Sequence, residues 1–140
     1  MKLELSAIGL ASYKNALKKI ETIPDDVLLK MVDSKAEIVE QTTVFTAAND
    51  LKGKYYKGGV MQSVKRSKPR KNKRKGPYSE IKFIGKQHGN RLGEIAFVNE
   101  YGKKKQPARP FIRRAIEGSE DTSTAAAANV LFDWQKKQGL

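Results

Sequence analysis

Eight basic side chains crowd into eleven residues: Lys65, Arg66, Lys68, Arg70, Lys71, Lys73, Arg74 and Lys75. Flexible Lys and Arg at this density displace the counterions condensed on a polyphosphate, which gives strong, salt-sensitive and sequence-blind affinity. The same run also reads as a solvated loop that touches an acidic protein partner. Base-specific readout is not expected, because 65–75 holds no aromatic residue for stacking and no helix-turn-helix pattern surrounds it. The charge is local. Of the formal net charge of +13, residues 51–75 carry 11 basic and no acidic side chains. Residues 1–50 carry 6 basic and 8 acidic side chains, and residues 76–140 carry 11 and 7. The chain therefore has a basic appendage, not a uniformly basic surface.

Other chemistry is sparse. The only histidine, His88, falls in a "QHGN" turn without cysteine or paired carboxylates around it. Glu80, Glu94 and Glu100 alternate with apolar residues and read as the wet face of a sheet. No Walker-type loop, His-Glu-x-x-His pair or Gly-x-Ser-x-Gly elbow occurs. Glycines 53, 58 and 59 lie among lysines but lack the strand-to-helix setting that cradles phosphate. No catalytic residue, cofactor or metal is expected, and a metal-dependent nuclease has no ligand cluster to build on.

The elements that must carry these residues fit one domain, the usual size for 140 residues. At 39% hydrophobic the chain can bury a modest core. No run of about 18 apolar residues is present to cross a bilayer, and the alternating start at Met1–Leu5 is not expected to act as a signal peptide. The absence of cysteine excludes disulfides and is compatible with a reducing cytosol.

Alternation at Leu3 and Leu5 predicts a short opening strand, and the spacing of Leu10, Tyr13, Leu17 and Ile20 predicts a helix over 8–20. Pro24, followed by Asp25 and Asp26, starts a longer helix over 25–48. Val60, Gln62 and Val64 suggest one side of a strand over 58–67. The stretch 69–77, "PRKNKRKGP", reads as an exposed loop because its charges repel. Strands are expected over 78–86 and 91–101, joined as a hairpin at "QHGN". Phe111, Ile112, Ala115 and Ile116 open a helix that Gly118 would bend or end, and Ser119 would start another. The expected class is α+β: a small antiparallel, hairpin-containing sheet packed against two N-terminal helices and a C-terminal helix.

One stretch remains, "VNEYGKKKQPARPFIRRAIE" (98–117). Glu100 and Tyr101 end the expected strand over 91–101, and Gly102 can take the positive φ of a sharp strand-to-helix exit. Pro107 and Pro110 fix φ across the crossing, and Phe111 anchors the following helix. This corner, with Phe97-Val98-Asn99-Glu100-Tyr101-Gly102, a basic turn and Pro107-Ala108-Arg109-Pro110-Phe111-Ile112-Arg113, resembles the head-tail joining or tail-completion proteins of long-tailed phages and prophages. Gly58, Val60, Ser63 and Val64 resemble a second, weaker motif of that family. The chain departs from the pattern at Lys103, where a small hydroxyl residue is more usual, and at Arg114, where proline is frequent.

The resemblance implies a non-enzymatic structural virion protein at the phage neck, assembled in the bacterial cytoplasm. It would form a homo-oligomeric ring, commonly a hexamer, and dock to connector or stopper proteins and the tail tube. The turn residues Lys103, Lys104 and Lys105 would then lie at an interface. The basic run would face either DNA in the channel or an acidic neighbour. The alternative reading is a small cytosolic protein that binds nucleic acid non-specifically through the same run.

Overall fold

The computed structural model describes residues 23–51, 58–74 and 76–139. The expected opening strand and the helix over 8–20 lie outside the described residues, as does Lys75. The class is α+β.

Helix α1 (Asp25–Asp50) begins where Pro24 ends its extended lead-in, and the Pro24 carbonyl accepts from the amides of Val27 and Leu28. Asp25 and Asp26 sit in its first turn, where the helix dipole favours negative charge. At the other end of the chain, α4 (Phe111–Lys137) runs unbroken for 27 residues. Gly118 therefore neither bends nor ends it. The roughly 1 kcal/mol cost of a mid-helix glycine is outweighed by packing on both sides of it. Phe111, Ala115, Ser119 and Ser123, four residues apart, are its buried stripe. Three small side chains in that stripe let α1 approach closely. The Asp50–Arg114 ion pair near one end and the Lys35–Glu120 pair further along make the two helices antiparallel.

Between them the described residues make two short helices and six short strands. Helix α2 (Gly59–Ser63) replaces the strand expected over 58–67, and only β1 (Val64–Arg66) is extended. Gly58, at φ 79°, turns the backbone into this helix. Helical spacing buries Val60, Ser63 and Val64 and leaves Gln62 outside, against the alternation expected of a strand. The stretch read as a loop holds strands as well. β2 (Arg70–Asn72) pairs with β3 (Gly76–Tyr78), and β1 pairs with β4 (Ile81–Phe83), both antiparallel. The two ladders are nested, so 64–74 and 76–83 are the two sides of one long hairpin arm. Residues 67–69 oppose only 79–80 between the ladders, a bulge pinned by Ser67, whose hydroxyl accepts from the Glu80 amide and whose carbonyl accepts from the Ser79 hydroxyl.

β5 (Lys86–Gln87) and β6 (Asn90–Arg91) close the expected turn, with His88 at φ 52° and Gly89 at φ 80°. The strand expected over 91–101 is absent. Residues Leu92–Tyr101 instead form helix α3, which buries Leu92, Ala96 and Glu100 at four-residue spacing. The apolar run Ile95-Ala96-Phe97-Val98 fits either period, and burial on one helical face decides it. Among the described residues the strands consequently form three two-stranded ladders. The core joins Ala47 and Leu51 of α1 and its end to Val60, Leu92, Ala96 and Phe111. Phe83 meets Phe111 edge-on, with ring centres 5.9 Å apart.

Candidate interaction surfaces

The corner within 98–117 joins helix to helix, not strand to helix. Its organising group is Glu100. Expected on a wet sheet face, it is in fact buried, and its carboxylate accepts from the amides of Ile112 at 2.8 Å and Arg113 at 3.1 Å. These are first-turn donors of α4 that have no partner within the helix. A negative charge placed there also opposes the positive end of the helix dipole. Glu100 is therefore a cap supplied from another helix, a role that Pro110, at the N-cap position, cannot perform.

The rest of the corner holds that carboxylate in place. Gly102 has φ 76°, and a Cβ there would stand 2.8 Å from the Ala108 nitrogen and 2.9 Å from the Gln106 oxygen. Both are backbone atoms, so only glycine fits. Lys103 and Gln106 exchange backbone hydrogen bonds across the turn, and the Arg109 amide donates to the Asn99 carbonyl at 2.6 Å. Asn99 also accepts from the Gln106 side chain at 3.2 Å. Pro107 is exposed and Pro110 half-buried, both in the crossing before α4. Phe111 is fully buried, and its carbonyl accepts from the Thr46 hydroxyl at 2.9 Å. Asn99, Gln106 and Thr46 carry no signal in the sequence. Asn99 lies inside the corner stretch, but nothing in its spacing marks it.

The corner leaves one apolar surface open. Phe97 and Tyr101 are 63% and 70% exposed, with rings 4.8 Å apart, and share the outer face of α3. Ile116 on α4, 49% exposed, faces the same groove, which Phe83 and Ile112 floor. Arg113 and Glu117 at its edge pair with each other at 3.0 Å. Lys103, Lys104 and Lys105 are exposed on the turn beside the corner.

The basic run is divided by the hairpin arm. Arg66 is withdrawn from it: its Nε donates to Asp33 at 3.1 Å, and its Nη1 and backbone amide donate to Glu40 at 3.1 and 2.6 Å. The Asp33 hydrogen bond raises the guanidinium pKa further above its ordinary value; burial opposes this, and the charges of Asp33, Glu40 and Glu37 add to it. Lys71 reaches Asp25 at 2.9 Å. Arg66 and Lys71 thus lay the arm along α1, from Glu40 towards its first turn. Arg70 pairs with Glu80 at 3.6 Å and lies over the Tyr78 ring. Lys65, Lys68, Lys73 and Arg74 are exposed, and no side-chain ion pair holds them among the described residues.

His88 is a turn residue, and no group of three His, Cys, Asp or Glu that could hold a metal ion occurs among the described residues. Compared with family models, curated proteins and solved structures, the chain matches none.

Proposed function

We propose that this chain is a structural subunit of a long-tailed phage or prophage neck, acting in head-tail joining or tail completion. It works by assembling with copies of itself into a ring, and by docking to connector and tail-tube proteins. The observation that supports this reading is the corner around Glu100. The residues that carry the family resemblance are also those that cap α4 and seat Phe111, and they position α3 so that Phe97 and Tyr101 stand exposed.

The groove between α3 and α4 receives a second copy of the chain. Charge favours this choice. Copies of a chain at +13 repel one another wherever basic surfaces meet. The groove edge is balanced by the Arg113–Glu117 pair, so two copies come together there without stacking like charges. Repetition around a ring then multiplies a modest contact.

Sedimentation of the purified chain over a range of concentrations, alone and with the connector and tail-tube proteins of the same phage or prophage, tests the reading. The wild type is expected to form closed oligomers, alone or on those partners. The double change Phe97→Ser, Tyr101→Ser is expected to stay monomeric while keeping its helical circular dichroism. A wild type that stays monomeric with every partner would overturn the proposal.

A further inference from the structure

The hairpin arm carries a charge arrangement that ring assembly does not use. Lys65 and Lys82 are direct cross-strand partners in the β1–β4 ladder, both pointing to solvent. Like charges in that position are unfavourable unless an anion lies between or above them. Lys82 leans on Glu80, which Arg70 shares, and Lys65 has no such neighbour among the described residues. Further out, Lys68 precedes β2, and Lys73 and Arg74 form the tip, where the Arg74 amide donates to the Asn72 side chain at 2.8 Å. Together they string exposed cations along an arm that Arg66 and Lys71 fix to α1.

We infer that these exposed cations of the arm, Lys65, Lys68, Lys73 and Arg74, bind the sugar-phosphate backbone of duplex DNA without reading sequence. Two observations select this partner. Interfaces with proteins are built on an apolar centre and are poor in lysine, and among the described residues β2 with its tip exposes only Arg70, Lys71, Asn72, Lys73 and Arg74. Single strands are held by bases stacked on open aromatic faces, and the one ring of the outer hairpin, Tyr78, is half-buried with Arg70 over it. Duplex phosphates need neither feature. They need cations at intervals on a surface that keeps its shape, which the anchored arm supplies.

The test uses the full chain and a short blunt DNA duplex of mixed sequence, with affinity measured across about 50–200 mM salt. Neutralising the four residues together (Lys65→Gln, Lys68→Gln, Lys73→Gln, Arg74→Gln) is expected to weaken binding at least about tenfold and to reduce the log–log salt slope by about 3 to 4, near 0.9 for each phosphate no longer neutralised. A control removes the same charge elsewhere (Lys30→Gln, Lys86→Gln, Lys136→Gln, Lys137→Gln) and is expected to stay within about threefold of wild type. Equal losses in the two variants would overturn the inference in favour of bulk charge alone. Tighter binding to polyglutamate than to the duplex at the same salt would overturn it in favour of an acidic protein surface. No binding by the wild type at the lowest salt would also overturn it. Sedimentation without DNA reads self-association separately, so failure of the ring proposal is distinguishable from failure of this one.

Discussion

Glu100, in the last turn of α3, accepts a hydrogen bond at 2.8 Å from the amide of Ile112, twelve residues on and in the first turn of α4. One buried carboxylate therefore fixes how two helices meet, and with them the aromatic pair that α3 displays. Removing it by Glu100→Ala leaves two helix-start amides without a protein acceptor. The expected loss is about 1–3 kcal/mol in urea denaturation. Glu100→Gln keeps one acceptor oxygen and is expected to lose less. Equal stability in all three proteins would show that the cap contributes nothing.

Gly102→Ala is expected to be worse tolerated than its size suggests. The added carbon meets backbone atoms at 2.8 and 2.9 Å, and φ 76° is itself unfavourable for alanine. A loss of about 2 kcal/mol or more is expected, with α3 and α4 reoriented. Gly118→Ala, with open space around it in the middle of α4, is expected to gain up to about 1 kcal/mol instead. The opposite signs, read by thermal denaturation, separate the two glycines.

Phe111→Ala is expected to cost about 3–5 kcal/mol, because removing a fully buried ring opens a cavity and forfeits its edge contact with Phe83. Phe111→Leu is expected to retain much of that. Similar losses in denaturant for both changes would mean that volume is not what the site requires.

Arg66→Gln separates anchoring from binding within one basic run. Its ion pairs are partly open to water, so the stability lost is about 1 kcal/mol. Duplex affinity is expected to fall far less than on neutralising Lys73 and Arg74. A drop equal to theirs would place Arg66 among the contacting cations.

Local signals in the sequence are enough for several of these features. Pro24 with two aspartates marks the start of α1, "QHGN" marks a tight turn, and Gly102 with Phe111 marks a sharp exit and an anchor. Signals that depend on distant partners are not local. Ile95-Ala96-Phe97-Val98 alternates well enough for a strand, and only the packing of Leu92 and Ala96 against Phe111 and Val60 makes it a helix. Glu100 alternates with apolar neighbours and reads as solvated until its two amide donors arrive from beyond the turn. Arg66 reads as one cation of eight, and its acceptors lie 26 and 33 residues away in α1. The basic stretch reads as an unpaired loop because nothing local announces that β2 and β3 pair or that Lys71 meets Asp25.

The proposed neck role is tested most directly by deleting the gene, in a host that produces tailed particles, and counting those particles by electron microscopy. The proposed role predicts that heads and tails accumulate unjoined, or with defective tail ends. The wild-type gene supplied in trans is expected to restore joined particles, and the Phe97→Ser, Tyr101→Ser gene is not. Normal numbers of joined, infectious particles without the gene would contradict it.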